Sequence, residues 1–267
     1  MGVSRVSLAG EERKRSIMTL LNEKGKVNVS ELSQIFDVST ETIRRDLDEL
    51  EKDNKLKKVY GGAVKFKVEV EPPHYEREFI HAEAKRVIGA LAAELIEDND
   101  VIIIDEGSTA LQIIQFLESK RNLTILTSSI PSLISLIDHQ KRGLYDGKII
   151  FIGGEVNARH LRVSGPIAEK IMEDFYVNKS FLSVDGISLE NGLTSYDLDR
   201  ALFTRKLIRS SETAILLADS SKIAKRTVAK IMDLPDIHMI VSEEGPPSGW
   251  IPSLKEMQIR WISPVSE

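Results

Sequence analysis

Cysteine is absent from this chain of 267 residues. Its absence excludes disulfide frameworks, cysteine nucleophiles and zinc sites with cysteine ligands, and it favours a reducing, cytoplasmic location. No apolar run approaches the roughly 18 residues that indicate a membrane-spanning helix, since the longest, such as Val101–Ile104, have the length of buried strands. The segment Met1–Gly10 lacks the apolar core of a signal peptide. We therefore expect no membrane partner.

The sequence also lacks several ligand-binding patterns. Its histidines, at positions 74, 81, 139, 160 and 238, show no metal-ligand spacing, so we expect no metal site. Neither GxGxxG nor GxxxxGK[ST] occurs where predicted strands lead into helices, which disfavours dinucleotide and Walker-type nucleotide sites. We expect no cofactor. Hydrophobic residues make up 42% and charged residues 29% of the chain, which indicates a globular protein.

The net charge of −5 is unevenly distributed. Residues 1–64 carry +1 and residues 65–267 carry −6. An acidic chain does not by itself indicate a nucleic-acid partner. Any contact with nucleic acid must therefore be local to the first 64 residues.

Residues 1–64 show the pattern of three short helices followed by two strands. Apolar residues recur at three- and four-residue spacing in the sets Ile17, Leu20 and Leu21; Leu32, Ile35 and Phe36; and Ile43, Leu47 and Leu50. Gly25 ends the first helix, while Ser30 and Ser39 are placed to cap the second and third. Strands at Leu56–Val59 and Ala63–Val64 flank a Tyr-Gly-Gly turn. This order predicts a winged helix-turn-helix domain.

The third helix is the candidate for the DNA major groove, which admits one helix. Arginine can read guanine, hydroxyl groups suit phosphates or bases, and wing lysines suit phosphates. The candidate DNA-binding residues are Ser39, Thr40, Thr42, Arg44 and Arg45 of the helix and Lys55, Lys57 and Lys58 of the wing. The alternative is a solvated helix with internal ion pairs, because acidic residues at 46, 48, 49 and 51 interleave with the arginines.

Residues 65–80 are predicted to form a linker, because Pro72-Pro73 favours an extended spacer. Residues 81–267 then alternate strand and helix patterns, which predicts an α/β domain with a mainly parallel sheet. The predicted strands are Val101–Ile104, Leu123–Leu126, Ile149–Ile152, Phe181–Val184, Ala214–Ala218 and Met239–Val241.

Small polar residues follow five of these strands, where open α/β sheets bind ligands. The candidate effector-binding residues are Asp105, Glu106, Gly107, Ser108, Thr109, Thr127, Ser128, Gly153, Gly154, Asp185, Gly186 and Lys222. The Gly107-Ser108-Thr109 turn precedes a predicted helix, whose N-terminal amides would suit an anion. Ordinary helix capping explains the same hydroxyls. Five polar loops with Lys222 as a counter-charge favour a phosphorylated ligand.

Residues 10–63 resemble the DNA-binding head of the DeoR-type family of bacterial transcriptional repressors. The segment Val38–Leu47, with the sequence VSTETIRRDL, matches the family's recognition helix almost completely, and Tyr60–Ala63 matches its wing turn. From about Tyr75 to Val241 the chain resembles the family's effector domain, with landmarks such as Asp219-Ser220-Ser221-Lys222. The resemblance implies a fold similar to sugar-phosphate isomerases, a phosphorylated sugar or polyol as effector, and a dimer or tetramer.

Some residues depart from the family pattern. Glu106 stands where a small residue is usual, Ser128 where Asn is common, Arg200 where Glu is usual and Thr204 where Lys is usual. An acidic Glu106 would repel a phosphate dianion unless a cation offsets it. Arg159, His160 and Arg162 either supply that cation or form a solvated loop.

Three functions follow from these patterns. The main hypothesis is a cytoplasmic, homo-oligomeric repressor of a carbohydrate-utilisation operon, which binds a double-stranded operator and responds to a phosphorylated effector. The alternative is a sugar-phosphate isomerase with an appended head, whose acid and base would come from Asp105, Asp185, Asp219 and Lys222. A third reading, a constitutive DNA-binding protein, leaves the polar strand ends without a role.

Overall fold

The computed structural model describes residues 8–52, 55–65 and 71–264. The chain divides into two compact units, Met1–Val70 and Glu71–Glu267. The predicted linker over 65–80 is wrong in its second part, because residues from Glu71 onwards belong to the second unit. Pro73 is the N-cap residue of the helix His74–Phe79 and so belongs to the start of the second unit instead of extending a spacer. Residues 66–70 lie outside the described residues.

The first unit is a winged helix-turn-helix. Its elements are α1 (Leu8–Lys24), β1 (Lys26–Asn28), α2 (Val29–Phe36), α3 (Thr40–Lys52), β2 (Leu56–Val59) and β3 (Gly62–Lys65). The strands form an antiparallel sheet in the order β1-β3-β2, and β2 and β3 are the predicted wing. Gly25 ends α1 with a φ of +71°, as expected. Strand β1 was not predicted.

Two local predictions in this unit are wrong. Asn28, not Ser30, caps α2, because its side chain accepts a hydrogen bond from the Ser30 amide at 2.9 Å. Ile35 is half exposed, so the buried face of α2 is narrower than the apolar spacing indicated. The core of the unit otherwise follows the predicted stripes and consists mainly of Ile17, Leu21, Leu32, Ile43, Leu47, Leu50, Leu56 and Ala63.

The second unit is built on a seven-stranded parallel sheet, as predicted. Its order is β15-β14-β12-β9-β4-β5-β6. The strands are β4 (Val101–Ile104), β5 (Thr124–Thr127), β6 (Lys148–Phe151), β9 (Val177–Ser183), β12 (Ser211–Leu217), β14 (Met239–Val241) and β15 (Arg260–Ile262). Every neighbouring pair is parallel, so all carboxyl ends lie at one edge.

Helices cover both faces of this sheet. They are α4 (His74–Phe79), α5 (Ala82–Glu94), α6 (Ile130–Lys141), α7 (Pro166–Met172), α8 (Leu198–Arg209) and α9 (Ile251–Glu256). Alternate residues of one strand enter different cores: Ile103 packs in a cluster with Phe203 and Leu207 of α8, while Ile102 and Ile104 pack in the cluster that contains Ile88 of α5. This period of two gives a three-layer α/β/α arrangement. None of the described helices is both long and apolar enough to cross a membrane.

Short strands lie beyond the main sheet and were not predicted. They are β7 (Glu155–Asn157) with β8 (Arg162–Ser164), and a small antiparallel sheet of β10 (Gly186–Ser188), β11 (Gly192–Ser195) and β13 (Ala229–Met232). The hairpin β7-β8 directly follows Gly154 and the strand β10 begins at Gly186. Both additions therefore continue from predicted strand-end loops.

The strand order reverses between β4 and β9. Strands β4, β5 and β6 run outward in one direction, and β9, β12, β14 and β15 run outward in the other. A crevice at the carboxyl edge of such a reversal is where open α/β sheets bind ligands. The loops that follow β4 and β9 begin with Asp105 and lead to Asp185, so this topology places the two loops side by side.

Candidate DNA-binding surface and ligand site

The exposed face of α3 carries Thr40, Glu41, Arg44 and Arg45, whereas Ile43, Leu47 and Leu50 are buried. Ser39 precedes the helix, and its hydroxyl accepts a hydrogen bond from the Thr42 amide at 3.2 Å. The Ser39 and Thr42 hydroxyl oxygens lie 2.9 Å apart. Ser39 therefore caps α3 as predicted, and the two arginines project from the helix face that is opposite the core.

Three acidic residues of α3, at positions 46, 48 and 49, pair with other elements rather than with its arginines. Asp46 accepts two hydrogen bonds from Arg13 of α1, at 2.6 and 3.0 Å. The carboxylate of Glu49 lies 2.6 Å from the ammonium group of Lys14, which is also in α1. Asp48 pairs with Lys58 of β2. These contacts do not support the alternative in which the acids neutralise the arginines along the helix itself.

Arg44 and Arg45 share one acidic neighbour on their own helix, Glu41, at 3.6 and 4.0 Å. All three side chains are more than half exposed, and exposed ion pairs of this kind contribute little free energy. The guanidinium groups therefore face solvent with most of their hydrogen-bonding capacity available.

The wing differs from the prediction at Lys58. Its ammonium group pairs with Asp48, and its backbone amide donates to Glu51 at 2.7 Å, so Lys58 ties the wing to α3 instead of presenting a free charge. Lys55 and Lys57 are exposed. The side chain of Tyr60 is fully exposed at the turn between β2 and β3. Tyr60 was not among the candidate DNA-binding residues of the wing, although an aromatic residue beside two glycines in a turn is visible in the sequence.

The loop after β4 packs tightly against β9. Gly107 has a φ of +138°, and a Cβ atom there would lie 2.6 Å from the Ser183 hydroxyl oxygen. Glycine thus permits a close approach that a side chain would prevent. The backbone amides of Gly107, Ser108 and Thr109 donate no hydrogen bond to another described residue. Three successive amides of this kind can cradle an oxyanion.

The helix after this loop is not the predicted one. It is a 3-10 helix, Ala110–Phe116, of seven residues, and the Thr109 side chain makes no capping hydrogen bond. Its macrodipole is therefore a poor basis for anion binding, and ordinary capping does not explain Thr109. Anion binding at this loop is therefore supported by the backbone amides of Gly107, Ser108 and Thr109, which donate to no other described residue.

Glu106 is buried among arginines. Its carboxylate pairs with Arg200 and lies 3.3 Å from Nη1 of Arg162 and 3.6 Å from Nη2 of Arg77. Burial alone would raise the pKa of Glu106, but Arg200, Arg162 and Arg77 lower it to about 2. Arg162 is buried, whereas Arg159 is exposed, so of these two the offsetting cation is Arg162.

Arg200 joins Glu106 to Asp185. Its Nη1 lies 2.5 Å from the Asp185 carboxylate, and its Nη2 donates to the Ser183 carbonyl at 3.1 Å. Asp185 also accepts hydrogen bonds from the Ser195 hydroxyl and the Tyr196 amide. Burial opposes ionisation of Asp185, but Arg200 and the Tyr196 amide lower its pKa to about 2. The two departures at 106 and 200 are therefore partners.

Lys222 is half buried and makes no ion pair within 4.0 Å with another described residue. Its charge nevertheless lowers the pKa of Asp185, after the larger effects of burial, Arg200 and the Tyr196 amide. The loop that contains Lys222 lies beside Gly186. Ile187 forms a β-bridge with Ile223, and the Ile187 carbonyl accepts a hydrogen bond from the Lys225 amide. The structure thus brings Lys222 to the same side of the crevice as Asp185.

The remaining predicted effector residues lie on the β5 and β6 side. The Thr127 hydroxyl accepts a hydrogen bond from the Ser129 amide. The buried Ser128 hydroxyl makes no hydrogen bond to a described residue. Gly154 packs near Val163, whose amide donates to the Ser128 carbonyl. For Gly153, no atom lies within 4 Å of an added Cβ. Arg162 links these residues to the Asp105–Thr109 loop, because it forms a β-bridge with Ser129 and lies 3.3 Å from the Glu106 carboxylate.

Comparison with known proteins accounts for both units. Residues 13–68 match the DeoR-like helix-turn-helix domain, and residues 80–244 match the DeoR C-terminal sensor domain. The chain belongs to the DeoR family of transcriptional regulators. The expected family and the expected combination of a winged head with a parallel-sheet sensor domain are therefore confirmed.

Relatives of this DeoR-family regulator extend over nearly its whole length. It is 34% identical to the HTH-type transcriptional regulator YulB of Bacillus subtilis (strain 168), covering 93% of this chain and 95% of the relative. It is 29% identical to a putative aga operon transcriptional repressor of Escherichia coli O157:H7, covering 94% and 93%. It is 33% identical to the L-fucose operon activator of Haemophilus influenzae, covering 88% and 92%.

Among solved structures, the regulator is similar to ribose 5-phosphate isomerase A of Methanocaldococcus jannaschii, with 15% identity and a TM-score of 0.39 over 54% of this chain and 55% of the isomerase. A similarity of this size says nothing about activity. The fold assignment rests on the parallel sheet and the sensor-domain match.

Sequence reasoning missed three residues of the regulator's site. Glu71 and Arg77 were assigned to a linker, yet both are buried and pair with each other at 2.9 Å. Proline followed by a charged helical segment was the available signal. Ser183 lies at the end of β9 with a buried hydroxyl that makes no hydrogen bond to a described residue, and no sequence pattern distinguishes it.

Asp105 provides a pH test of this buried site. Burial and the Glu106 carboxylate raise the pKa of Asp105 from 3.8 to about 7. The folded protein therefore keeps a proton that the unfolded chain releases, and this residue's contribution to the free energy of unfolding falls as pH rises from about 4 to about 7. Asp105→Asn cannot ionise, so we expect its stability relative to wild type to improve between pH 5 and pH 8.

The measurement is urea unfolding followed by tryptophan fluorescence, because Trp250 and Trp261, the chain's two tryptophans, both lie in the second unit. Asp199→Asn, at an exposed position of α8, is the control and should keep a constant difference from wild type. An Asp105→Asn difference that is equal at both pH values would contradict the raised pKa.

Proposed function

We propose that this regulator represses a carbohydrate-utilisation operon by binding operator DNA as a homo-oligomer, and that a phosphorylated sugar or polyol controls it. The family supplies DNA binding and a sensor domain. The named operons of relatives, aga and L-fucose, support a role in sugar metabolism. Those relatives include a repressor and an activator, and the DeoR-type resemblance of the head supports repression.

The arrangement of charges on α3 supports DNA contact by Arg44 and Arg45. Acidic side chains close to a DNA-binding face would repel phosphates, but Asp46 and Glu49 are held by α1 and Asp48 by the wing. The two arginines remain exposed on one face with Thr40, and their exposed neighbour Glu41, at 3.6 and 4.0 Å, pairs with them only weakly. Such a face can enter the major groove and read guanine or phosphate.

The crevice between β4 and β9 supports the effector assignment. The amides of Gly107, Ser108 and Thr109, which donate to no other described residue, offer hydrogen bonds to a phosphate, and Lys222 offers a positive charge that pairs with no carboxylate of the described residues. Glu106 does not oppose this ligand, because arginines already neutralise its charge. This combination of free donors and an unpaired lysine at the switch point is the observation that carries the proposal.

We do not propose isomerase activity. A general base needs a free carboxylate with a pKa near the working pH. Asp185 is engaged by Arg200, Ser195 and the Tyr196 amide and has a lowered pKa. Asp219 accepts hydrogen bonds from both the amide and the hydroxyl of Ser221. The pKa of Asp105 is raised to about 7, but its side chain is buried and its Oδ2 accepts a hydrogen bond from the Ser183 amide, so it presents no open base to a ligand. The geometry therefore favours ligand binding over proton transfer.

Operator binding should depend on both arginines of α3. Replacing Arg44 or Arg45 with Ala should weaken binding by about 1–3 kcal/mol if the side chain contacts a base. A gel-shift titration measures this, with Arg142→Ala as a matched loss of an exposed arginine in the second unit. Wild-type affinity in both α3 variants would show that α3 is not the recognition helix.

Effector response should depend on Lys222 and Thr109, while DNA binding should not. A ligand shifts the regulator only through its different affinity for two conformations, so loss of these contacts should raise the effector midpoint at least about tenfold. A thermal-shift screen of phosphorylated sugars and polyols identifies the ligand. Operator binding is then titrated with that ligand for Lys222→Ala, Thr109→Ala and the control Lys230→Ala, whose side chain pairs with Asp233 on the surface.

Unchanged effector midpoints in both the Lys222 and Thr109 variants would remove these residues from the site. Loss of operator binding in either variant would show instead that the residue supports the fold. Only a shifted midpoint with retained operator affinity fits the proposed role.

The regulator should be a dimer or a tetramer. One small head contacts few base pairs, and two-fold pairing on a palindromic operator doubles the number of contacts. Light scattering on the full chain, with and without operator DNA, measures the assembly. A monomer under both conditions would contradict this prediction.

A further inference from the structure

The carboxylate of Glu71 occupies the centre of a cluster of three buried arginines and one histidine. It lies 2.9 Å from Nη1 of Arg77, 2.9 Å from Nη1 of Arg162, 3.4 Å from Nδ1 of His160 and 3.6 Å from Nη1 of Arg200. Its side chain is 3% exposed. An acidic group surrounded in this way resembles a bound oxyanion ligand that the chain itself supplies.

The cations around Glu71 retain hydrogen-bonding capacity. The Nε atoms of Arg77 and Arg162 are buried and donate to no described residue. Arginine binds carboxylates and phosphates best when two of its N–H groups donate in parallel. Glu71 therefore does not satisfy this cluster, and a free oxyanion could use more of its donors.

The buried charges of the network are balanced. Arg77, Arg162 and Arg200 face the buried carboxylates of Glu71, Glu106 and Asp185. The partly exposed carboxylate of Asp197 also lies 3.5 Å from Nη2 of Arg162, at the rim of the network. Adding an anion would leave an uncompensated buried charge, which is costly, whereas exchanging one anion for another avoids much of that cost. A ligand oxyanion should therefore enter by replacing one of the three carboxylates.

Glu71 is the carboxylate best placed to leave. Asp185 accepts a backbone hydrogen bond from Tyr196, and Glu106 lies between Asp105 and Gly107 in the tightly packed loop after β4. The carboxylate of Glu71 is held by side chains, and the residue is the first of its unit, followed by Pro72-Pro73. Its departure requires no rearrangement of the parallel sheet.

We propose that Arg77 and Arg162 form a second oxyanion position of the ligand site, and that the effector takes this position by displacing Glu71. The inference rests on the proposed function, because it assigns another part of the same crevice and its regulation. The ligand class is a compound with an oxyanion at each position: a phosphate at Gly107–Thr109, and a carboxylate or second phosphate at the arginines.

Displacement of Glu71 would carry the signal towards the DNA-binding unit. The segment of Glu71 and α4 is covalently continuous with that unit. The Arg77 carbonyl accepts hydrogen bonds from the Ser108 hydroxyl at 3.2 Å and from Lys85 at 2.5 Å. Both oxyanion positions thus contact this one segment, the first through Ser108 and the second through Glu71.

The test compares Glu71→Gln with wild type by calorimetric titration of the full chain. Glu71→Gln keeps the shape but removes the competing charge, so an oxyanion probe should bind at least about tenfold more tightly. The probes are inorganic phosphate, gluconate and 6-phosphogluconate, which separate a phosphate from a carboxylate as the displacing group. Glu76→Gln, an exposed position of α4, the helix that follows Glu71, should bind every probe as wild type does.

A folded Glu71→Gln protein with wild-type affinity for all three probes would overturn the inference. If that variant does not fold, a second measurement uses the absence of cysteine. A fluorophore on Tyr75→Cys, exposed on α4, should respond to a bound probe in an otherwise wild-type chain. A probe that binds with no change in this fluorophore also overturns the inference.

The two proposals fail in different ways. If Glu71→Gln gains affinity for an oxyanion but Lys222→Ala and Thr109→Ala leave effector response unchanged, the second position is supported and the first is wrong. If the Lys222 and Thr109 variants lose response while Glu71→Gln gains no affinity, the proposed function stands and the displacement of Glu71 is wrong.

Discussion

The guanidinium group of Arg200 is the interaction on which the second unit's crevice depends. It is almost completely buried and bridges Glu106, in the loop after β4, to Asp185, after β9. Removing one member of such a pair leaves a buried charge without compensation. The reversal of strand order places these two loops together, and Arg200 makes their negative charges compatible with a closed interior.

The other charges of the site follow from this bridge. Arg162 and Arg77 share Glu106 with Arg200 and bring Glu71 into the cluster. Asp105 takes part less, because its Oδ2 accepts the Ser183 amide while its Oδ1 makes no hydrogen bond to a described residue. Burial and the Glu106 carboxylate therefore raise the pKa of Asp105, whereas arginines and hydrogen bonds lower the pKa values of Glu106 and Asp185 despite their burial.

Charge compensation also organises the DNA-binding unit, but there it leaves arginines exposed instead of burying them. There, cations of α1 and the wing are used to neutralise the acids of α3, and the arginines of α3 are left exposed. On the exposed face of α3, Arg44 and Arg45 are opposed by Glu41 at 3.6 and 4.0 Å. Ion pairs to α1 and the wing hold the helix in place, and the weakly paired, exposed arginines remain for a partner.

The local sequence alone determined the class of each unit. Apolar spacing predicted the three helices and the wing, and apolar runs followed by small polar residues predicted the parallel sheet and its functional edge, because both signals depend on residues close together in the chain. The ordered match from Val38 to Leu47 identified the family for the same reason. Lys58, Ile35 and the capping residue of α2 were misjudged where a neighbouring element decided the outcome.

Only the tertiary structure decided which charges compensate each other. Glu106 and Arg200 are separated by 94 positions in the chain, and Arg162 and Glu71 by 91, so no local pattern links them. By sequence, Glu106 and Arg200 are departures from the family pattern, Glu71 is a linker residue and Arg162 is a loop cation without a fixed partner; the sheet order brings them together. Burial then made pairing obligatory, since a charge in the interior must find its partner within a few ångströms, and the chain's topology determines which partner that is.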